Sequence, residues 1–534
     1  MTALTIGPAR LIGPARHVTA ERIVVVGAGM GGLAAAIAAA GQGLQVTLVE
    51  RAETPGGKMR QVKAGNALLD GGPTVFTMKW VFDRLFAEAG TALEDRLELE
   101  RAETLARHGW SDGSRLDLFA DPARNDAAIG AFAGASEAKG FQAFCRDAKR
   151  IYETLKDSYI AAQRPGPLEL TRRAGIPDLA AIKPFSSLWS ALGGYFRDPR
   201  LRQLFGRYAT YCGSSPFDAP ATLMLVAHVE LEGLWRIKGG MHRLARTMSK
   251  LAAERGVSLR YECEVAKILV ERGRACGVEL TDGERLQADA VIFNGDASAL
   301  SSGSLGRAAE RSVPKLPSDK RSLSAVVWTL LGRSRDFPLL HHNVFFSDAY
   351  RAEFDDIFKR NRLPEQPTVY LCAQDRGESG HSPRDDESLY LLVNAPPRAD
   401  QRPFSPEEIE TCAERAFALL QRCGLEVEQR PDTTLATTPN DFHRLFPATG
   451  GALYGRASHG WSASFQRAGA RSKLPGLYLA GGSVHPGPGV PMAALSGRLA
   501  VECLLADSTS RRRSAPAGIA GGTWTRSATT ATTD

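Results

Sequence analysis

Residues Ile23 to Arg60 read IVVVGAGMGGLAAAIAAAGQGLQVTLVERAETPGGKMR, and the fold follows from this stretch. Ile23–Val26 is a run of β-branched residues, as a strand buried on both faces requires. It runs into Gly27-Ala28-Gly29-Met30-Gly31-Gly32, which satisfies G-x-G-x-x-G, and an alanine-rich helix is predicted over Leu33 to Ala40. Gly27 permits the tight turn, Gly29 lets the backbone approach a pyrophosphate, and Gly32 lets helix and strand pack closely. The phosphates would rest on free N–H groups, Gly31 among them, at the positive end of that helix. A second strand, Gln45–Val49, ends in Glu50, 23 residues after Gly27, near where a ribose-binding carboxylate belongs. Strand, glycine loop, helix and acid together predict a dinucleotide-binding β-α-β unit in an α/β, Rossmann-like domain. Glu50 can accept both ribose hydroxyls and would repel the extra phosphate of NADP, which leaves NAD or FAD.

The continuation decides between them. Glu50-Arg51-Ala52-Glu53-Thr54-Pro55-Gly56-Gly57-Lys58-Met59 resembles the segment after the ribose acid in two-dinucleotide-motif flavoproteins. There a Gly-Gly pair and a basic residue turn the chain back across the FAD pyrophosphate, which implies roles for Arg51, Gly57 and Lys58. The plain alternative is a surface turn. In such flavoproteins a turn like Gly72-Pro73-Thr74 often lies against the isoalloxazine ring, although an ordinary tight turn would read the same way. The resemblance also implies that Val265 meets adenine through its backbone. At the C-terminal end, Gly476–Arg498 reads GLYLAGGSVHPGPGVPMAALSGR. Gly481-Gly482 ends a buried strand, and a helix is expected near Pro491, since proline suits a first turn. The N–H groups of Met492 and its neighbours then face the flavin pyrimidine edge and stabilise negative charge on reduced flavin. The cofactor expected is FAD.

At 534 residues, with 43% apolar and 23% charged residues, the chain is expected to form two intertwined domains. It contains no run of ~18 apolar residues long enough to span a bilayer. Residues 1–20 read as a loose extension without the apolar core of an export signal. Residues 507–534 are Ser/Thr/Ala/Gly/Arg-rich and are expected to be disordered. The net charge of +7 suits an anionic membrane surface better than nucleic acid, because Arg and Lys are scattered and no nucleic-acid motif accompanies them. Eight cysteines without CxxC or metal spacing imply free thiols, a cytoplasmic setting and no metal. His341 and His342, adjacent on a predicted strand, should point to opposite faces and form no metal pair.

Residues 81–225 change to helical periodicity, in Val81–Ala89, Phe141–Lys156 and Pro199–Tyr211. Ala181–Arg197, AIKPFSSLWSALGGYFR, reads either as a core helix or as a membrane-interface segment with aromatics down and cations at the rim. His228, inside the apolar run Thr222–Val229, reads as a buried structural histidine. Strands are predicted again over Ala325–Leu331, Asn343–Phe346 and Leu389–Val393.

VVVGAGMGGLAAA…VTLVERAETPGGKM, LLDGGPTVF and LYLAGGSVHPGPGVPMAALSGR together resemble the phytoene desaturase family of bacterial carotenoid desaturases. DPRLRQLFGRYATYCGSSPFDAPA, WRIKGGMHRLA, HHNVFFSDAY and FPATGGALYGRASHGWSASF add to the likeness, which runs from about Arg22 to Ala506. Within the family, Tyr-Cys-Gly-Ser-Ser-Pro and Gly-Gly-Ser-Val-His-Pro-Gly are most similar to the 1-hydroxycarotenoid 3,4-desaturases of purple bacteria, also called methoxyneurosporene dehydrogenases.

The resemblance implies FAD-binding parts at 21–85, 233–300 and 441–506, with a discontinuous α+β substrate domain at 86–232 and 301–440. It implies peripheral association with the inner or photosynthetic membrane, a carotenoid substrate, and oxygen or a quinone as electron acceptor. Desaturation would take a hydride and a proton from adjacent carbons beside a polyene, so orientation in a dry tunnel is the protein's main task. His485 is the candidate proton acceptor, with a loop-shaping role as the alternative; Arg207, Tyr208 and Asp218 are further candidates with structural alternatives. Tyr211, Ser214 and Ser215 are candidate hosts for a substrate hydroxyl, which needs a partner when buried. Rival readings are a phytoene desaturase, a carotenoid isomerase, and a non-enzymatic prenyl-lipid carrier sharing the fold.

Overall fold

The computed structural model describes residues 21–514 except 184 and 383; the expected extension at 1–20 and the tail beyond 514 lie outside the described residues. A five-stranded parallel sheet runs Leu477–Leu479, Ala290–Phe293, Arg22–Val26, Gln45–Val49, Ser258–Arg260. Val24, Val25, Val291 and Ile292 are buried, as strands covered on both faces must be. The helix after the first strand starts at Met30, three residues earlier than its alanine run suggests, and ends at Gly41. The C-terminal helix, Val490–Ser514, crosses it so closely that a Cβ on Gly497 would lie 2.1 Å from the Gly31 carbonyl oxygen. These two helices bring the two glycine-rich loops together at one end of the sheet.

A second sheet has seven strands in the order Thr434–Thr437, Ser324–Gly332, Glu387–Ala395, Val369–Ala373, His342–Phe345, Thr104–Gly109, Arg115–Phe119. Its pairs are antiparallel except for His342–Phe345 beside Thr104–Gly109. Alternation along a strand sends Val326, Trp328 and Leu330 to one face, under the helix Pro406–Arg422. Ala325 and Val327 go to the other face, with Tyr370, Cys372 and Tyr390, against the main core. Helices pack beyond that face, with Phe144 ringed by Tyr195, Phe196 and Phe205.

Residues 104–109 and 115–119, between the predicted helices Val81–Ala89 and Phe141–Lys156, are strands that extend the second sheet across the chain. Two expectations change. The C-terminal helix continues through 507–514, where disorder was expected; Asp507 accepts from Tyr478 Oη at 3.0 Å and Ser508 donates to Glu21 at 2.9 Å, anchoring a polar segment that composition alone leaves loose. His341 and His342 do not diverge: their rings lie 4.5 Å apart, because His341 precedes the strand that begins at His342 and escapes its alternation.

Candidate flavin and substrate site

The glycine loop is built as a cradle that side chains would fill. Gly27 has φ +99°, and a Cβ on Gly32 would sit 1.9 Å from the Gly27 carbonyl oxygen. Leu33 N–H to Gly29 O, at 2.9 Å, opens the helical ladder, so the N–H groups of the preceding first turn have no intrahelical acceptor. Gly56 N–H donates to Ala28 O at 2.9 Å, and Gly57, at φ +61°, would place a Cβ 3.3 Å from Gly29 Cα. The Pro-Gly-Gly turn therefore folds back over the loop.

Glu50 is 9% exposed and accepts the N–H groups of Ala28 at 2.7 Å and Ala52 at 2.9 Å. Each carboxylate oxygen keeps a second lone pair for a ribose hydroxyl. Cys263 N–H donates to Glu50 O at 2.9 Å, which brings the segment leading to Val265 beside that acid; Val265 itself pairs with Leu280. Arg51 pairs with Glu264 at 3.7 Å and donates to the Leu445 carbonyl. Lys58 donates to the Leu453 carbonyl and lies 5.0 Å from the Phe446 ring centroid, and burial lowers its pKa against the opposing pull of Asp296.

Asn294, which follows the strand Ala290–Phe293, sits at the centre. Its Nδ2 donates to Gly27 O at 3.3 Å, and its side chain would meet a Cβ on Gly29 at 2.8 Å, on Gly31 at 2.5 Å and on Gly481 at 3.0 Å. Gly481 N–H donates to Ser496 Oγ at 3.2 Å, and Gly482 follows it in the loop. Pro491 lies in the first turn of Val490–Ser514, and Ala493 N–H to Gly489 O at 2.9 Å starts that ladder, which leaves Met492 N–H free of one. Two helix N-termini and three glycine turns thus converge on one cleft, and this donor set fits the pyrophosphate and ring edge of FAD.

The Gly72-Pro73-Thr74 turn lies against the Lys58 carbonyl, 2.0 Å from where a Gly72 Cβ would be. Thr74 Oγ1 is 2.6 Å from Tyr370 Oη, which is 2.7 Å from His342 Nδ1. Just before it, buried Asp70 accepts Met241 N–H at 2.5 Å at the head of the helix His242–Glu254, a long-range contact without a sequence signal.

Of the candidate hydroxyl hosts, Tyr211 faces a buried polar cluster: Arg207 Nη1 donates to Tyr211 Oη at 3.4 Å, and Tyr208 Oη donates to Glu230 at 2.7 Å. Burial raises the pKa of Tyr208, Tyr211 and Glu230. Ser214 and Ser215 are engaged elsewhere. Ser214 Oγ donates to Cys212 O at 3.1 Å and accepts Ser458 N–H at 2.8 Å, while Ser215 Oγ accepts Phe217 N–H at 3.2 Å. They pin two distant segments together. Asp218 is exposed. His228 contacts Glu232 at 3.4 Å and the Tyr152 ring at 5.1 Å, as a structural histidine would.

His485 is 2% exposed; its Nε2 lies 2.9 Å from Ala162 O and its ring 4.8 Å edge-on from Tyr159. Burial lowers its pKa to about 4 and keeps it neutral. The ligand atoms of His341, His342 and Cys372 lie within 4.8 Å of one another. Each also has a protein contact: His341 Nδ1 to Arg376 O at 3.0 Å, His342 to Tyr370, and Cys372 to His341 at 3.5 Å.

Compared with known proteins, residues 30–505 match the model of the flavin containing amine oxidoreductases. The chain belongs to that family. It is a flavin-dependent oxidoreductase with FAD as its cofactor. It is 54% identical to a hydroxyneurosporene desaturase of Rubrivivax gelatinosus over 96% of this chain and 98% of that one. A hydroxyneurosporene desaturase of Cereibacter sphaeroides is 46% identical over 92% and 99%. An oxidoreductase from Methanosarcina mazei shares the fold, with a TM-score of 0.57 at 17% identity over 91% of this chain and 100% of that one. The likeness to carotenoid desaturases drawn from the motifs is borne out.

Proposed function

We propose that the chain desaturates an acyclic 1-hydroxy or 1-methoxy carotenoid at C3–C4 in carotenoid biosynthesis. The observation that carries this reading is the intact flavin cradle beside an aromatic core, together with the identity to hydroxyneurosporene desaturases over nearly the whole chain. FAD, when bound, supplies the hydride acceptor. The protein's part is to hold the polyene in register and exclude water, which the aromatic core favours.

Loss of hydride leaves positive charge delocalised over the polyene, and the adjacent C–H becomes strongly acidic, so a weak base suffices. In this reading His485, held neutral by burial, takes that proton. His485→Gln keeps a donor for Ala162 and removes the base. Single-turnover formation of the desaturated carotenoid should then slow by about 10²-fold with FAD affinity unchanged; an unaltered rate removes the role.

Peripheral membrane attachment and an oxygen or quinone acceptor complete the proposal. No helix among the described residues is long and apolar enough to cross a membrane. Leu168, Ile176 and Phe185 are 88%, 71% and 79% exposed along one segment that also carries Arg172, Arg173 and Lys183. Trp461, 51% exposed, lies 5.6 Å edge-on from Phe185. Exposed apolar side chains beside cations suit an anionic lipid interface. Anaerobic addition of 1-hydroxyneurosporene to the FAD-loaded protein tests the chemistry: bleaching of the flavin supports it, and an unreduced flavin with bound carotenoid opposes it.

A further inference from the structure

A small cavity opens between the second sheet and the helical layer, lined by Arg207, Tyr350, Glu353, Tyr370, Thr368 and Asn394 among others. Building on the desaturase reading above, we propose that this cavity receives the tertiary hydroxyl of the carotenoid end group and selects hydroxylated over unhydroxylated substrate through Arg207, Tyr350 and Glu353.

The cavity carries unspent hydrogen-bonding capacity. Among the described residues Arg207 has no ion pair; it donates to Tyr211 Oη at 3.4 Å and lies 5.1 Å from the Tyr370 ring centroid and 5.4 Å from that of Tyr211. Tyr350, 5% exposed, has no hydrogen-bond partner for its hydroxyl among the described residues. Glu353, 1% exposed, accepts Thr368 N–H at 3.2 Å and Asn394 Nδ2 at 3.1 Å, both neutral donors. Donors and a carboxyl acceptor therefore line the same cavity, with Tyr350 and Glu353 one turn apart on the helix Tyr350–Phe358. An anion placed there meets Glu353, and a cation meets Arg207. A neutral group that both accepts and donates satisfies the two together, and a hydroxyl is the smallest such group.

Position supports the same assignment. The oxygen on C1 is three bonds from C3, so groups that read it must lie within one side-chain length of the reacting carbons. Tyr370 lines the cavity, and its hydroxyl is 2.6 Å from Thr74 Oγ1 in the turn expected against the flavin ring. The cavity is thus one phenol ring away from the chemistry. Buried polar groups built for a hydroxyl are left unpaired by an analogue that lacks it, and such sites reject that analogue strongly.

The test measures kcat/KM and Kd of the FAD-loaded enzyme for 1-hydroxyneurosporene and for neurosporene. Wild type should favour the hydroxylated carotenoid by about 10²-fold or more. Tyr350→Phe removes an atom without a partner, so folding is spared, and Glu353→Gln removes the carboxylate acceptor. Each should lower kcat/KM for the hydroxylated carotenoid about tenfold without lowering it for neurosporene, whose rejection the variants relieve. A parallel fall for both carotenoids, or an unchanged ratio, overturns the assignment. Turnover of both at equal rates by wild type removes the cavity's role and leaves desaturation standing. Hydroxyl-dependent binding without turnover upholds the cavity and removes desaturation. Binding of neither carotenoid overturns both.

Discussion

Glu50 Oε2 accepts the main-chain N–H of Ala28 at 2.7 Å, so the acid that ends the second strand also fastens the glycine loop after the first. Glu50→Ala leaves that buried donor without an acceptor, at about 1–3 kcal/mol, and removes the carboxylate proposed to meet the ribose. FAD affinity measured by flavin fluorescence should fall about tenfold or more, with a lower Tm in the apoprotein. An unchanged FAD affinity would mean that the carboxylate serves the loop alone.

Glu353 gives the fold a pH dependence. Burial raises its pKa from 4.5 to about 7 against the hydrogen bonds from Thr368 and Asn394. Between those values the native state binds more protons than the unfolded chain, so this contribution is full below pH 4.5 and is lost as pH rises through about 7. Its size is on the order of 3 kcal/mol. Glu353→Gln should abolish it, so wild type minus variant stability in urea should fall between pH 5 and 8. A difference that is flat with pH contradicts the assignment.

Phe185 and Trp461 meet edge-on at 5.6 Å on the exposed apolar segment. Phe185→Ser with Trp461→Ser should reduce co-sedimentation with anionic liposomes about tenfold, with little effect on Tm, and the residual binding should weaken with salt. Undiminished sedimentation places the lipid contact elsewhere.

Much of the flavin half was legible in the sequence because its signals are local. A β-branched run, glycines at fixed offsets and a terminal acid fit only a few geometries, and Gln45–Val49 is the observed strand. The glycines work through contacts a reader can anticipate, as at Gly32 and Gly27. Asn294 was not legible, because its importance comes from meeting Gly29, Gly31 and Gly481, which are distant in the chain. The bond between Ser214 and Ser458 was hidden for the same reason. A hydroxyl in a family-like stretch looks available until Ser458, 244 residues later, is seen to donate to it. The Arg207–Tyr350–Glu353 cavity gathers separate elements around sheet residues Thr368, Tyr370 and Asn394, and no spacing rule announces such a cluster. His341 shows the limit of alternation, which applies inside a strand and fails one residue before it.

The most direct measurement is the absorption spectrum of 1-hydroxyneurosporene in liposomes after incubation with the FAD-loaded protein, with phytoene run in parallel. The account predicts a red shift for the hydroxylated carotenoid alone, the mark of one added conjugated double bond, and none for phytoene. Conversion of phytoene, or an unshifted spectrum while FAD is bound and the carotenoid is in place, would contradict it.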